Sequence, residues 1–261
     1  MALDVMVSQM AGHLSAEFRR GIMERLATFE ESEIRELLIA SESFPDAGSA
    51  GEEQDDVAQT LHDIALHAES LADWDACGAL YQRVLRYPVR EISIHVGAKF
   101  RLAICLENLG ALRKATNAYR ETLSYGEVWP DVAAQARNRL AMLLMAAEEY
   151  EEAIEHLFAL DARPLPVDVH RDPVQICIAK CLVRLGRLRE AEDRLNSLRN
   201  GTPSSEASLE ALKLLGFIHE QLGDTASAVN SYKLLLQLAA SNPIHQQLAM
   251  QRLARLTASS T

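Results

Sequence analysis

A chain of 261 residues with 48% hydrophobic content can bury a substantial core, which excludes wholesale disorder. Aromatic residues make up only 5%, and the Ala-, Leu-, Glu- and Arg-rich remainder favours packed helices over sheets. The formal charge of -11 argues against nucleic acid as the ligand, since there is no basic excess to neutralise phosphates.

That acidity is concentrated at the front. Residues 1–57 hold thirteen acidic side chains against four arginines, whereas the following 204 residues carry twenty-four acids and twenty-two bases. The N-terminus has no basic segment followed by an apolar run, and no stretch reaches the roughly 18 apolar residues of a membrane helix, so a cytoplasmic protein without membrane insertion is expected. Four cysteines without a framed pairing pattern suit a reducing compartment, each acting as a small buried hydrophobe.

Residues 1–42 open with Met10, Leu14, Phe18, Ile22 and Leu26 at four-residue spacing. Thr28-Phe29-Glu30-Glu31 resembles a capping box leading into Ile34, Leu37 and Leu38. A helical pair is predicted there, acting as an N-terminal cap, a docking element or a route to a homo-oligomer. Residues 43–57, with Pro45, Gly48, Gly51 and several acids, read as a flexible acidic linker that could occupy a neighbouring basic surface in cis.

From residue 58 to 242 the chain repeats. Small residues at Ala65, Ala103, Ala141, Ala179 and Gly216 lie 38, 38, 38 and 37 positions apart. Each is followed twelve residues later by another, at Cys77, Ala115, Ala153, Ala191 and Ala228, and four further on by Tyr81, Tyr119, Leu157, Leu195 and Tyr232. Small side chains let two antiparallel helices approach while larger neighbours fill the flanking grooves. Five helix-turn-helix units are predicted, starting near residues 58, 96, 134, 172 and 209. Gly110, Gly186 and Gly223 stand where a first helix must stop. Asp172-Pro173-Val174-Gln175 and Asn242-Pro243 read as helix starts, the latter opening a capping helix over residues 243–257.

The paired small residues, the glycine before the second helix, the tyrosine near its middle and Pro88 near a unit's end resemble the tetratricopeptide repeat. The resemblance covers about 70% of the chain, although the family period is about 34 residues and the family tryptophan is absent. The extra residues imply a longer helix or a longer linking loop. The resemblance implies an all-α, right-handed superhelical solenoid that binds a protein or peptide on the inner face of its first helices. It places Phe100, Arg101, Ile104, Asn138, Arg139, Met142, Ile176, Lys180, Arg184, Lys213 and Phe217 on or beside that face, together with Gln59, His62, Leu66, Glu107, Met145 and Glu220. Their chemistry suits a partner with acidic and apolar side chains.

A family subset grips chaperone C-terminal carboxylates with a Lys/Asn/Arg clamp, but here Phe100 and Asn138 stand in the lysine column and Phe217 stands where asparagine is wanted. Such binding is not expected. Nor is an enzyme, because phosphate loops, zinc-protease motifs and nucleophile elbows are missing. No cofactor is implied. Cys177 and Cys181, one turn apart with His170 nearby, read as buried small residues rather than a metal site. The role expected is a scaffold or adaptor, with a dedicated client chaperone, a secretion adaptor or a peptide-sensing regulator as alternatives.

Overall fold

The computed structural model describes residues 16–41, 52–126, 128–167, 169–199 and 205–258. Among these there are thirteen α-helices and no strand. Two compact units, residues 1–136 and 137–261, divide the chain.

The first unit begins with α1 (Ala16–Arg25), a short 3-10 turn (Leu26–Thr28) and α2 (Glu31–Ser41). The capping box sits two residues later than the sequence suggests. Glu33 Oε2 accepts the Glu30 backbone N–H at 2.9 Å, while the Thr28 hydroxyl donates instead to Arg25 O. Phe29 and Ile34, on either side of this cap, are both buried, as the two halves of a hydrophobic staple require. The pair is tied to the next helices by His67 Nε2, which donates to Phe29 O at 2.8 Å, and by Arg35 Nε, 2.8 Å from Asp73 Oδ2. Met10 and Leu14 lie outside the described residues.

The next helix, α3 (Glu52–Ser70), begins six residues before the expected boundary. Glu52 to Asp56 are therefore helical rather than linker, and residues 42–51 lie outside the described residues. Acidic side chains in a first helical turn complement the partial positive charge of its N-terminus, so the charge run marks a helix start. Asp55 also accepts the Arg90 backbone N–H at 2.7 Å, fixing the loop that enters the second repeat.

Paired helices continue the chain: α3 with α4 (Trp74–Val84), then α5 (Ile92–Asn108) with α6 (Leu112–Leu123). The third pair is α7 (Pro130–Ala146), in which the division between units falls, and α8 (Tyr150–Asp161). In the second unit come α9 (Arg171–Arg184) with α10 (Leu188–Arg199), then α11 (Glu206–Gln221) with α12 (Thr225–Leu238), and last α13 (Pro243–Ala258). First helices also meet first helices, α3 with α5 and α9 with α11, which is the packing of a stacked repeat. Turns within a repeat are three residues long. The residues beyond a shorter period fall in the first helices, 14 to 19 residues long, and in connections such as 85–91 and 162–170.

All ten small repeat positions are buried at the helix crossings, and the five large residues four positions on are at most 1% exposed. Each three-residue turn closes in the same way. Ala72, Gly110, Glu148, Gly186 and Gly223, again 38, 38, 38 and 37 positions apart, all take positive φ between 58° and 77°. The next backbone N–H bonds back to the carbonyl five residues earlier, as in Ala111 N to Leu106 O (2.8 Å) and Glu149 N to Leu144 O (2.9 Å). Alanine and glutamate thus hold a conformation natural to glycine, at a cost of about 1 kcal/mol each. Glu148→Gly is expected to raise the free energy of unfolding by about 0.5–1 kcal/mol, read from denaturant midpoints; a decrease would mean that its side chain contributes more than its backbone costs.

Two helix starts differ from expectation. At α9 the helix begins at Arg171, His170 gives no side-chain cap, and Gln175 reaches away to Asp161 rather than back to the helix terminus. At α13 the start agrees, with Asn242 Oδ1 accepting the His245 N–H. That last helix keeps the register of a first helix. Arg252 contacts Glu220 as Arg101 contacts Glu69, both 32 positions apart, and Ala254, which corresponds to buried Ala103, is exposed, with no second helix against it among the described residues.

Candidate functional site

In the first unit consecutive first helices line a recess of about 350 Å³. Gln59 and His62 from α3, Ser93, Ile94, Gly97, Phe100 and Arg101 from α5, and Val132 and Gln135 from α7 line it. Gly97 opens it, because a Cβ there would lie 3.3 Å from His62 Nε2. A glycine inside a helix costs about 1 kcal/mol relative to alanine, so its presence was a readable sign of close approach that the repeat pattern alone did not bring out.

The walls of the recess are held from behind. The His62 ring stands edge-on to Tyr81 with centroids 5.5 Å apart, and Phe100 leans on Tyr119 at 6.1 Å. Behind them, Arg101 NH1 donates to Glu69 Oε2 at 2.8 Å, and the same carboxylate oxygen is 3.4 Å from the Tyr81 hydroxyl. His62 Nδ1 is buried without a hydrogen-bond partner; its nearest acidic atom, Asp63 Oδ1, is 3.8 Å away. The recess therefore offers apolar surface from Ile94, Phe100 and Val132 beside amide, hydroxyl and imidazole groups. Ile104 is half-buried further along α5.

In the second unit, Asn138 and Arg139 are half-buried, Met142 is 51% exposed, and Ile176, at 6%, belongs to the core. Phe217 is half-buried on α11. Lys180 and Lys213 converge on one carboxylate: Glu210 lies 2.9 Å from Lys180 Nζ and also pairs with Lys213. Burial pushes the Glu210 carboxyl up, but hydrogen bonds from Lys213 and Lys180, with their charges, more than reverse this and hold it below the ordinary range. Arg184 pairs with Glu148 at 3.2 Å and lies 4.8 Å over the Tyr150 ring. The cations expected to draw an acidic ligand are thus engaged within the chain; the i,i+3 spacing of Glu210 and Lys213 was readable in the sequence, but not the approach of Lys180 to the same carboxylate.

A depressed carboxyl pKa has a defined consequence. The Glu210 pairing stabilises the fold above the ordinary glutamate pKa of about 4.5 and is lost as pH falls through the lower folded value. Asp161 behaves in the same sense: burial raises it, and hydrogen bonds from Arg194 and Gln175 and the charges of Arg194 and Arg171 bring it down. The thermal midpoint is expected to fall steeply below about pH 4.5, and less steeply in Glu210→Gln. Equal slopes in the two proteins would remove Glu210 from the account.

Cys177 and Cys181 are both on α9, but Cys181 is fully buried and the Cys177 thiol lies 3.7 Å from the Met142 sulfur. Among the described residues no three His, Cys, Asp or Glu side chains are grouped to hold a metal ion, and no helix is long and apolar enough to cross a membrane.

Residues 209–242 match the family model described as Tetratricopeptide repeat. The fold is that of a tetratricopeptide-repeat protein. Solved structures agree over most of the chain. YrrB, described as a tetratricopeptide protein with an unusual peptide-binding site, aligns with a TM-score of 0.60 at 14% identity, covering 77% of this chain and 92% of its own. MamA AMB-1 aligns with a TM-score of 0.57 at 18% identity over 70% and 92%, and MamA from Desulfovibrio magneticus RS-1 with 0.57 at 15% over 71% and 96%. No curated protein matched by sequence. The matched tetratricopeptide segment is the fifth repeat, the unit whose turn carries glycine at positive φ and whose second helix is capped by Asp224.

Proposed function

We propose that the chain is a protein-interaction scaffold or adaptor that takes a peptide or helix of a partner on its first helices, with the recess around Gly97 as the anchoring pocket. The observation that carries this reading is a concave site built by three successive first helices. It combines an apolar wall of Ile94, Phe100 and Val132 with the polar side chains of Gln59, His62, Ser93 and Gln135. The fold supports it, since stacked helical repeats present such surfaces to proteins and peptides, and YrrB is described as having a peptide-binding site.

Because Arg101, Lys180, Arg184 and Lys213 are paired internally, the ligand chemistry favoured here is an apolar side chain flanked by hydrogen-bonding groups, rather than a run of acids. The N-terminal helices, fastened to α3 and α4, are proposed as the cap of the first repeat. Residues 43–51, with Asp46 as their one acid, lie outside the described residues and keep the proposed role of a tether.

The test is selection of a displayed random-peptide library on the intact chain, with enriched peptides measured by titration. Gly97→Leu, which projects into the recess, is expected to weaken them at least tenfold while leaving helicity unchanged, and His62→Ala to weaken them less. Peptides that bind parent and Gly97→Leu alike would place the site elsewhere. A dedicated client chaperone or secretion adaptor would instead copurify with one client in stoichiometric amount.

A further inference from the structure

The sulfur atoms of Cys77 and Cys105 lie 2.6 Å apart, about 0.6 Å longer than a disulfide bond and well inside ordinary sulfur contact. Cys77 is on α4, the second helix of the first repeat, and Cys105 on α5, the first helix of the next, and both side chains are fully buried. The repeat itself shows that this pair is particular to one joint. The position of Cys77 holds Ala115, Ala153, Ala191 and Ala228 in the other units, and that of Cys105 holds Leu143, Cys181 and Ile218. In the other units these two sequence positions thus pair alanine with leucine, cysteine or isoleucine. Cys181 repeats one half of the pair, but the corresponding second-helix position is Ala153.

We infer that Cys77 and Cys105 are a thiol pair that closes to a disulfide across the first inter-repeat joint when the protein meets a thiol oxidant, locking α4 to α5. With a low-molecular-weight disulfide RSSR, one cysteine attacks an oxidant sulfur, giving a mixed disulfide and one RSH. The second cysteine then attacks the protein-bound sulfur, forming the Cys77–Cys105 bond and releasing the second RSH. Two electrons pass from the two thiols to the oxidant's S–S bond, and the two thiol protons leave on the two RSH.

The hydrogen bond to Cys105 and burial both push the Cys77 thiol up, so the closed joint holds the pair reduced and the first attack requires local opening of the α4–α5 contact. Once formed, the bond closes a loop of 28 positions and reduces the freedom of the unfolded chain. Because α5 also carries Phe100 and Arg101, the lock would fix one wall of the recess against its neighbour.

The test uses the full chain incubated without denaturant in oxidised glutathione, then unfolded, alkylated with N-ethylmaleimide and weighed. Two alkylations are expected instead of four, with one crosslinked peptide joining Cys77 to Cys105 and with Cys177 and Cys181 both alkylated. The oxidised protein should melt about 5 °C above the reduced one, a difference absent in Cys77→Ala, which installs the residue found in the other units. Four alkylations, a Cys177–Cys181 link, or glutathione adducts without the Cys77–Cys105 bond would each overturn the inference.

Discussion

Gly216→Ala is expected to destabilise the fifth repeat by about 1–3 kcal/mol, since it inserts a methyl group into a packed crossing. The Cβ would lie 2.5 Å from Cε1 and Cζ of Tyr232, and that ring cannot swing away easily. Its hydroxyl donates to Glu220 Oε1 at 2.5 Å and the side chain is 1% exposed. In the first two repeats Ala65 and Ala103 occupy the same position alongside Tyr81 and Tyr119, so the alanine–tyrosine combination is not forbidden in itself. What decides is the closer approach of α11 to α12, which only a residue without a side chain allows. Adding Tyr232→Leu recreates the combination native to the third and fourth units, Ala141 with Leu157 and Ala179 with Leu195. The double variant should therefore lose less than the sum of its parts in denaturant titrations. Strict additivity, or a single variant as stable as the parent, would defeat this account of Gly216.

Glu220→Met should cost about 2–3 kcal/mol, because one carboxylate serves two partners. It accepts from the Tyr232 hydroxyl and pairs with Arg252 of α13 at 3.2 Å, leaving a buried hydroxyl and a half-buried cation when it is removed. The repeat supplies the compensating variant. Where the second helix carries tyrosine, as at Tyr81, Tyr119 and Tyr232, the first helix carries Glu69, Glu107 and Glu220, and the next first helix Arg101, Arg139 and Arg252. Where it carries Leu157 or Leu195, the matching positions are Met145 with Cys177 and Val183 with Leu214. Polar and apolar versions are thus exchanged as sets of three. Tyr232→Leu, Glu220→Val and Arg252→Leu together should recover stability to within about 1 kcal/mol of the parent, since replacing a whole buried ionic set by apolar residues is often neutral. If the triple variant is less stable than Glu220→Met alone, the three residues do not act as a set.

Both expectations show where the sequence was sufficient and where it was not. Periodicity placed the five helix pairs, because a small residue every 38 positions and its partner twelve later mark crossings that every repeat must make. Glycine announced three of the five turns, since its backbone freedom is local information. Ala72 and Glu148 take the same conformation with no such mark, because stacking of the neighbouring helices imposes it and offsets the local cost. The charge run at Glu52–Asp56 was legible as acidic, but whether acids solvate a linker or open a helix depends on whether the residues after them can pack.

The candidate site divides in the same way. The resemblance to the tetratricopeptide repeat assigned Phe100, Arg101 and their counterparts to the inner face, and that assignment remains a proposal; Ile176, the counterpart of Phe100 in the fourth unit, is buried in the core. The partners of those residues were decided by tertiary structure. Glu210 against Lys180, Glu69 behind Arg101, and Cys105 against Cys77 each join residues from different helices, about thirty positions apart. By itself the sequence determined a helical repeat and its period, because these rest on local geometry repeated along the chain. Tertiary structure decided which charges are spent internally, which glycine opens a recess and which two thiols touch, because those depend on how closely neighbouring helices approach.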